Sequence, residues 1–188
     1  MTNTVKILLI VGGIILVIGL LIGGSYNTMV KLDEEVSGQY ANIETTLQRR
    51  TDLIPNLVNA VKGYASHEED LFTDLAEAKA KMMGASSVDE LEKANNEVTA
   101  SLGRLFALSE AYPELKANQN FIQLQDELAG TENRIAVARK DYNNVVKKYN
   151  ATIKTFPKVI LAGMFGFDEK DYFEASSNAD KVPDVNFE

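Results

Sequence analysis

Residues 121–156 read FIQLQDELAGTENRIAVARKDYNNVVKKYNATIKTF. Within them Phe121, Leu124, Leu128, Thr131, Ile135, Ala138, Tyr142, Val145, Tyr149, Thr152 and Phe156 recur in alternating steps of three and four. Such a seam keeps one face of a helix toward a partner over many turns, as in left-handed bundles and coiled coils. Asn118 or Asn120 is placed to cap this helix, and Pro157 stops it. Gly130 costs a helix interior about 1 kcal/mol relative to alanine. The expected compensation is a neighbouring helix packed closely against it.

Two further helical stretches precede the seam. Ser87 and Glu90 form a capping box, and Asp89, Glu90 and Glu92 suit a helix N-terminus. The helix they open runs over residues 88–111, with Leu91, Val98, Leu102, Leu105, Phe106 and Leu108 on its buried face. Residues 84–87 form the turn before it, and Tyr112-Pro113 ends or bends it. Upstream, Val36, Tyr40, Ile43, Leu47, Ile54, Leu57, Val61 and Tyr64 make another apolar stripe, and Arg50 sits in its only gap. The pattern favours one long helix over residues 29–83, kinked near residues 50–54 by Pro55. The alternative is a break near Gly63, with Ser66 and Glu69 as the capping box of a restart. Downstream of the seam, residues 159–167 (VILAGMFGF) are apolar but too short to span a bilayer. They are read as a bundle cap in preference to a membrane-interface segment.

Residues 7–22 (ILLIVGGIILVIGLLI) contain no polar side chain. At 1.5 Å per residue they cover about 24 Å of a hydrocarbon core roughly 30 Å thick. Val5 and residues 23–26 complete a crossing. Three readings compete: a buried core helix, a cleaved signal peptide and an uncleaved signal anchor. A core helix rarely lacks any polar residue over such a run. The run is long for a signal-peptide core, and a patterned helix follows it at once, so the anchor is favoured. No cysteine follows as a lipidation site. Nothing in residues 25–32 stops the helix, so span and bundle are expected to share one. The N-terminus and Lys6 lie before the span; behind it Lys31 is followed by Asp33, Glu34 and Glu35. This bias predicts a cytoplasmic N-terminus and an extracytoplasmic bundle. Gly12, Gly19 and Gly23 fall on one helix face. Gly19 and Gly23 make a GxxxG pair, a candidate site of association between membrane helices.

The expected architecture is all-α: an N-terminal transmembrane helix continuing into an antiparallel bundle of three long helices plus a short C-terminal one. Residues 1–28 form the anchor, 29–173 the bundle and 174–188 a polar, flexible tail. The chain carries 188 residues and a net charge of −8. That balance argues against nucleic acid and against a basic patch for anionic headgroups. The absence of cysteine excludes thiolate nucleophiles and Cys-ligated metal. The one histidine, His67, stands in SHEED. No second histidine completes a zinc or di-iron site, so a solvated helix start is the better reading. No phosphate loop, dinucleotide fingerprint or nucleophile–base pair is present. No catalytic residue, metal, cofactor or small-molecule ligand is expected.

Polar residues do stand where a bundle should be apolar. Arg50 interrupts the first stripe. Glu132, Asn133, Arg134 and Arg139 flank the Thr131 layer, and Asn143 follows Tyr142. A core-facing charge is costly unless paired. The expected partner of Arg50 is Glu132, with Asp52 or Glu44 as local alternatives. Arg50, Asp52, Asn56, Glu132, Asn133, Arg134, Arg139 and Asn143 are thus candidates for a polar network in the bundle or a contact with a partner.

At these residues the chain resembles the LemA family of bacterial membrane-anchored proteins. The matching runs are RRTDLIPNLVNAVKGYASHE (residues 49–68), YPELKANQNFIQLQDELAGTENRIAVARKDYN (112–143), YNATIKTFP (149–157) and GFDEKDYFE (166–174). With the anchor, the resemblance covers nearly the whole chain; residues 81–107 are the least distinctive. It implies an anchored helical bundle at the bacterial cell membrane, with no established enzymatic activity or ligand. Residues matching the family's motifs include Arg50, Asp52, Pro55, Asn56, Tyr112, Pro113, Asn118, Phe121, Glu132, Asn133, Arg134, Arg139, Tyr142 and Asn143. The function expected is a non-enzymatic scaffold that touches the lipid bilayer and self-associates or recruits partners, organising or remodelling the membrane. The alternative is an adaptor or sensory module that passes a signal to a membrane partner protein.

Overall fold

A computed structural model describes residues 2–174. Among them lie six α-helices and no strand: α1 (Asn3–Lys62), α2 (Glu69–Gly84), α3 (Val88–Ser109), α4 (Pro113–Lys116), α5 (Gln119–Lys154) and α6 (Lys158–Phe165). The all-α class is as expected, and α1 carries the apolar run and the first stripe in one helix. Of the expected polar tail, only Glu174 lies within the described residues. The chain packs as two compact units. One takes in residues up to Tyr40 and Asp141–Asp171; the other takes in Ala41–Lys140 and the residues from Tyr172.

The second unit holds the hairpin of α2 and α3, joined by residues 85–87. Lys81 meets Glu97 at 2.7 Å, and Asp74 pairs with Arg104. Numbers rise on one helix as they fall on the other, so the two run antiparallel. The same holds for α1 and α5 in this unit, where Arg50 pairs with Glu132 and Asn118 donates to the Tyr64 hydroxyl. Ile43, Leu47, Ile54, Leu57 and Val61 of α1, Leu75 of α2, Val98 and Leu105 of α3, and Phe121, Leu128 and Ile135 of α5 are buried. Both expected caps form. Ser87 Oγ accepts from the Glu90 N–H at 3.2 Å, and Asn118 Oδ1 accepts from the Asn120 and Phe121 N–H groups at 2.9 and 3.2 Å. The Glu90 carboxylate reaches back to the Ser86 N–H and hydroxyl, which hold it below the usual carboxylate range.

Four expectations are corrected. Residues 29–83 are not one helix: α1 passes through Pro55 but ends at Lys62. At Gly63 no side chain packs, and the N–H groups of Tyr64 and Ala65 both turn back to the Val61 carbonyl, at 2.9 and 3.0 Å. The break near Gly63 was the alternative, and it is the one realised. The restart does not use Ser66, because Glu68 takes the cap position without a side-chain bond; Glu69 and Asp70 complement the dipole instead. Secondly, α3 ends before Tyr112-Pro113 as expected but two residues sooner, at Ser109, and Pro113 opens the one-turn α4, where its missing N–H costs nothing. Thirdly, a Cβ at Gly130 would meet nothing within 4 Å, so no neighbour packs closely there. Fourthly, the seam does not reach Phe156. Asn150 and Ile153 are buried there instead, and Phe156, beyond the end of α5, is 81% exposed. A straight helix drifts against a strict heptad, which moves the buried face off the Thr152 row.

In the first unit, Met29, Leu32 and Val36 of α1 and Val146, Tyr149 and Ile153 of α5 form the core. Tyr40 and Tyr142 rings lie 6.1 Å apart, and Lys148 meets Glu35 at 3.6 Å, so these segments are also antiparallel. Leu161 and Ala162 bury one face of α6, and Gly166 ends it at φ 74°. Alanine at that φ is strained, whereas Gly130 sits in ordinary helix with open space. Gly130→Ala should therefore raise stability by about 0.5–1 kcal/mol. Gly166→Ala should lower it by about 1–2 kcal/mol. Urea unfolding of the two variants checks the opposite signs.

Candidate functional site

Arg50 lies in register with the buried stripe of α1, between Leu47 and Ile54, so its side chain enters the core. It is 4% exposed. Its Nη1 donates to Asn95 Oδ1 on α3 at 2.7 Å and meets Glu132 Oε2 on α5 at 2.7 Å. Three helices are thus joined through one guanidinium. Asn95 is itself buried, while Glu132 is 48% exposed and keeps its other contacts with solvent. Burial pushes the Arg50 guanidinium below its ordinary range; Glu132 opposes this, and Arg139 adds to it. Arg50 remains a cation.

The expected pair of Arg50 with Glu132 is therefore present. The local alternative Asp52 is exposed and accepts from Gln48 Nε2 at 2.8 Å. Asn56 is exposed and lines a shallow groove with Asn59, Asn120 and Gln123. Asn133 and Arg134 point to solvent on α5, and Asn143 is half-buried. Arg139 is half-buried, with its guanidinium 5.4 Å over the Phe173 ring; its Nε and Nη2 have no hydrogen-bond partner among the described residues. Among the eight polar candidates Arg50 and Glu132 are in direct contact, with Arg139 close enough to act electrostatically.

Two polar anchors were not read from the sequence. An asparagine inside a helix usually faces water, so Asn95 is inconspicuous in the sequence. Its signal is its register, four residues after Leu91 and three before Val98. The second is Asn150. Its amide donates to the Lys170 carbonyl at 2.8 Å and accepts from the Lys170 N–H at 2.9 Å. Tyr142 donates its hydroxyl to the Asp171 carbonyl at 3.1 Å, so two side chains of α5 hold the segment after α6. Burial pushes the Tyr142 and Tyr149 hydroxyls up to about 12. These polar groups are placed to hold helices and chain segments together. Among the described residues no three His, Asp or Glu side chains gather as a metal site, and His67 is exposed in the turn after α1.

The third feature is the apolar run of α1. Over its most hydropathic window no residue is buried by the protein. Gly12, Gly19 and Gly23 are exposed, and a Cβ on any of them would meet nothing within 4 Å. Tyr26, just past the run, meets Phe165 and Phe167 edge-on, at 5.0 and 5.7 Å between ring centroids.

A family model described as the LemA family matches residues 39–187. Two proteins of Paramagnetospirillum magneticum, magnetosome protein MamQ 2 and magnetosome protein MamQ 1, are each 28% identical over 181 residues, covering 82% of this chain and 66% of the relative. Protein LemA of Metamycoplasma hominis is 24% identical over 157 residues, covering 81% of this chain and 70% of the relative. The chain spans 66% of the length of the MamQ proteins it matches.

Arg50→Met should cost about 1–3 kcal/mol, because it leaves the buried Asn95 acceptor without its donor. Adding Asn95→Leu should recover much of that loss, since removing both partners of a buried polar pair is nearly neutral. A double-mutant cycle in urea checks the coupling. The tyrosines give a pH dependence. Folded Tyr142 and Tyr149 keep their protons after the unfolded chain has released its own near pH 10. Stability that is present in full below pH 10 is therefore lost as the pH rises toward 12. The urea midpoint should fall across that window, and fall less steeply in Tyr142→Phe.

Proposed function

This chain belongs to the LemA family, and from that premise we propose that it is a non-enzymatic, membrane-anchored scaffold that self-associates or recruits partners at the bacterial cell membrane. The observation that carries this reading is the uncovered run of residues 7–22, apolar on every face and continuous with a helix whose later turns are buried in a bundle. A run with no polar side chain and no protein cover has lipid as its natural solvent. Residues 23–25 lie inside the same helix, which favours an uncleaved anchor over a signal peptide processed there. The charge bias around the span favours the bundle on the extracytoplasmic side.

Self-association rests on the glycine face. Gly12, Gly19 and Gly23 present bare backbone to whatever adjoins the span, and such faces let membrane helices approach closely. The exposed Asp52, Asn56, Asn133 and Arg134 make no bond that the fold depends on, and they are the residues of choice for a partner in the aqueous phase. Two of the similar proteins are named as magnetosome proteins and not for a reaction. That agrees with a structural role.

Two measurements test this. Full-length protein in lipid nanodiscs should cross-link into dimers or larger species, and Gly19→Leu with Gly23→Leu should reduce them several-fold. A strictly monomeric wild-type chain would remove the self-association reading. A reporter active only outside the cytoplasm, fused at the C-terminus, should be active; activity of a cytoplasmic reporter there would reverse the orientation.

A further inference from the structure

Helix α6 is apolar on both sides. Leu161 and Ala162 face the unit's core, while Val159, Ile160 and Met164 are exposed, Met164 at 72%. Steps of one and four put Val159, Ile160 and Met164, with Gly163 between them, on one face. Phe156, just before the helix, is likewise apolar and has most of its ring in the open. Lys158 is the only charged residue among the eight of α6. A helix apolar all round is at home in a core or in lipid, and this one is only half in a core.

Its position says which solvent takes the other half. Phe165 at the end of α6 and Phe167 just after it pack edge-on against Tyr26. Tyr26 follows Ile22 by four residues, about 6 Å along the helix. On a helix that leaves a bilayer, that is the level of the headgroups, where tyrosine is enriched. We propose that α6 and Phe156 lie in the interfacial layer of the bilayer that residues 7–22 cross, with Phe156, Val159, Ile160 and Met164 inserted at the boundary of headgroups and acyl chains. This rests on the reading of residues 7–22 as a span. The surface is held beside the end of the span by the Tyr26 contacts, so it meets the same membrane without a second partner.

The net charge of −8 does not supply the attraction. Lys154 is paired with Glu169 and Lys170 with Asp33, and Asp168 and Asp171 are exposed in the segment that follows α6. The insertion is an apolar one, so it holds in zwitterionic lipid.

The chain lacks tryptophan, so single tryptophans are clean reporters. Full-length Met164→Trp, Leu16→Trp and, as an aqueous control, Ala100→Trp are reconstituted in phosphatidylcholine vesicles with and without brominated acyl chains. Brominated lipid should quench Met164→Trp and Leu16→Trp several-fold and leave Ala100→Trp unchanged. Circular dichroism of each variant checks that the helices are retained, and Ile160→Trp is a second reporter on the same face. Quenching at Leu16→Trp with none at Met164→Trp and Ile160→Trp would overturn the interfacial placement and leave the span intact. A blue-shifted but unquenched emission at both positions on α6 would overturn it in favour of a protein cover, such as a second copy. Absence of quenching at Leu16→Trp as well would overturn the span and this proposal together.

Discussion

A guanidinium at a core-facing position must be given acceptors, and Arg50 places that demand on two other helices at once. Asn95 answers it from α3 and Glu132 from α5, each at 2.7 Å. Apolar packing among Leu47, Ile54, Leu102, Leu128 and Ile135 is non-directional and tolerates small slips. The arginine contacts do not: a shift of one residue on α1, α3 or α5 would leave a cation or an amide unpaired in the core. A buried ion pair is weak evidence for net stability, and its best-attested use is to fix register. Here the half-exposed Glu132 lowers the desolvation cost of the pair, because one partner stays in water while the other is buried.

What the sequence made legible follows from physics that is local or periodic. The Ser87 and Asn118 caps depend on a side chain and the backbone two or three residues away, and both form. The three-four seam of α5 is periodic and holds from Phe121 to Tyr149. Arg50 could be paired with Glu132 because a charge inside an apolar stripe needs an opposite charge on a facing seam. The rest was hidden where two local signals compete or where the partner is remote. Pro55 was the stronger helix breaker on paper, yet the helix passes it and ends at Gly63. Proline removes one hydrogen bond from a helix that packing can still hold, whereas Gly63 has no side chain to pack and Tyr64 after it is exposed. Asn95 and Asn150 look like solvent residues in isolation; only the Arg50 donor and the Lys170 backbone make them core residues. Gly130 showed the limit of inferring a contact from a cost, since the helix carries the glycine with open space beside it.

An acidic chain with a net charge of −8 gains nothing from an anionic surface by electrostatics. Three of the seven lysines in the unit that holds the apolar run are paired with carboxylates: Lys148 with Glu35, Lys154 with Glu169 and Lys170 with Asp33. The hold on a bilayer proposed for α6 comes from its exposed apolar side chains. One span already supplies the anchoring free energy, so the exposed face of α6 adds less affinity than orientation. A single helix in lipid is free to rotate about its axis and to tilt, its tilt being set by neighbours and interfacial anchors. A second apolar element fixed to Tyr26 removes part of that freedom, because turning the span would lift Phe156 and Met164 out of lipid. The apolar faces of residues 7–22 and of α6 therefore act on different degrees of freedom. The first sets the depth of the chain in the membrane. In the proposed placement the second sets which way the glycine face of Gly12, Gly19 and Gly23 turns.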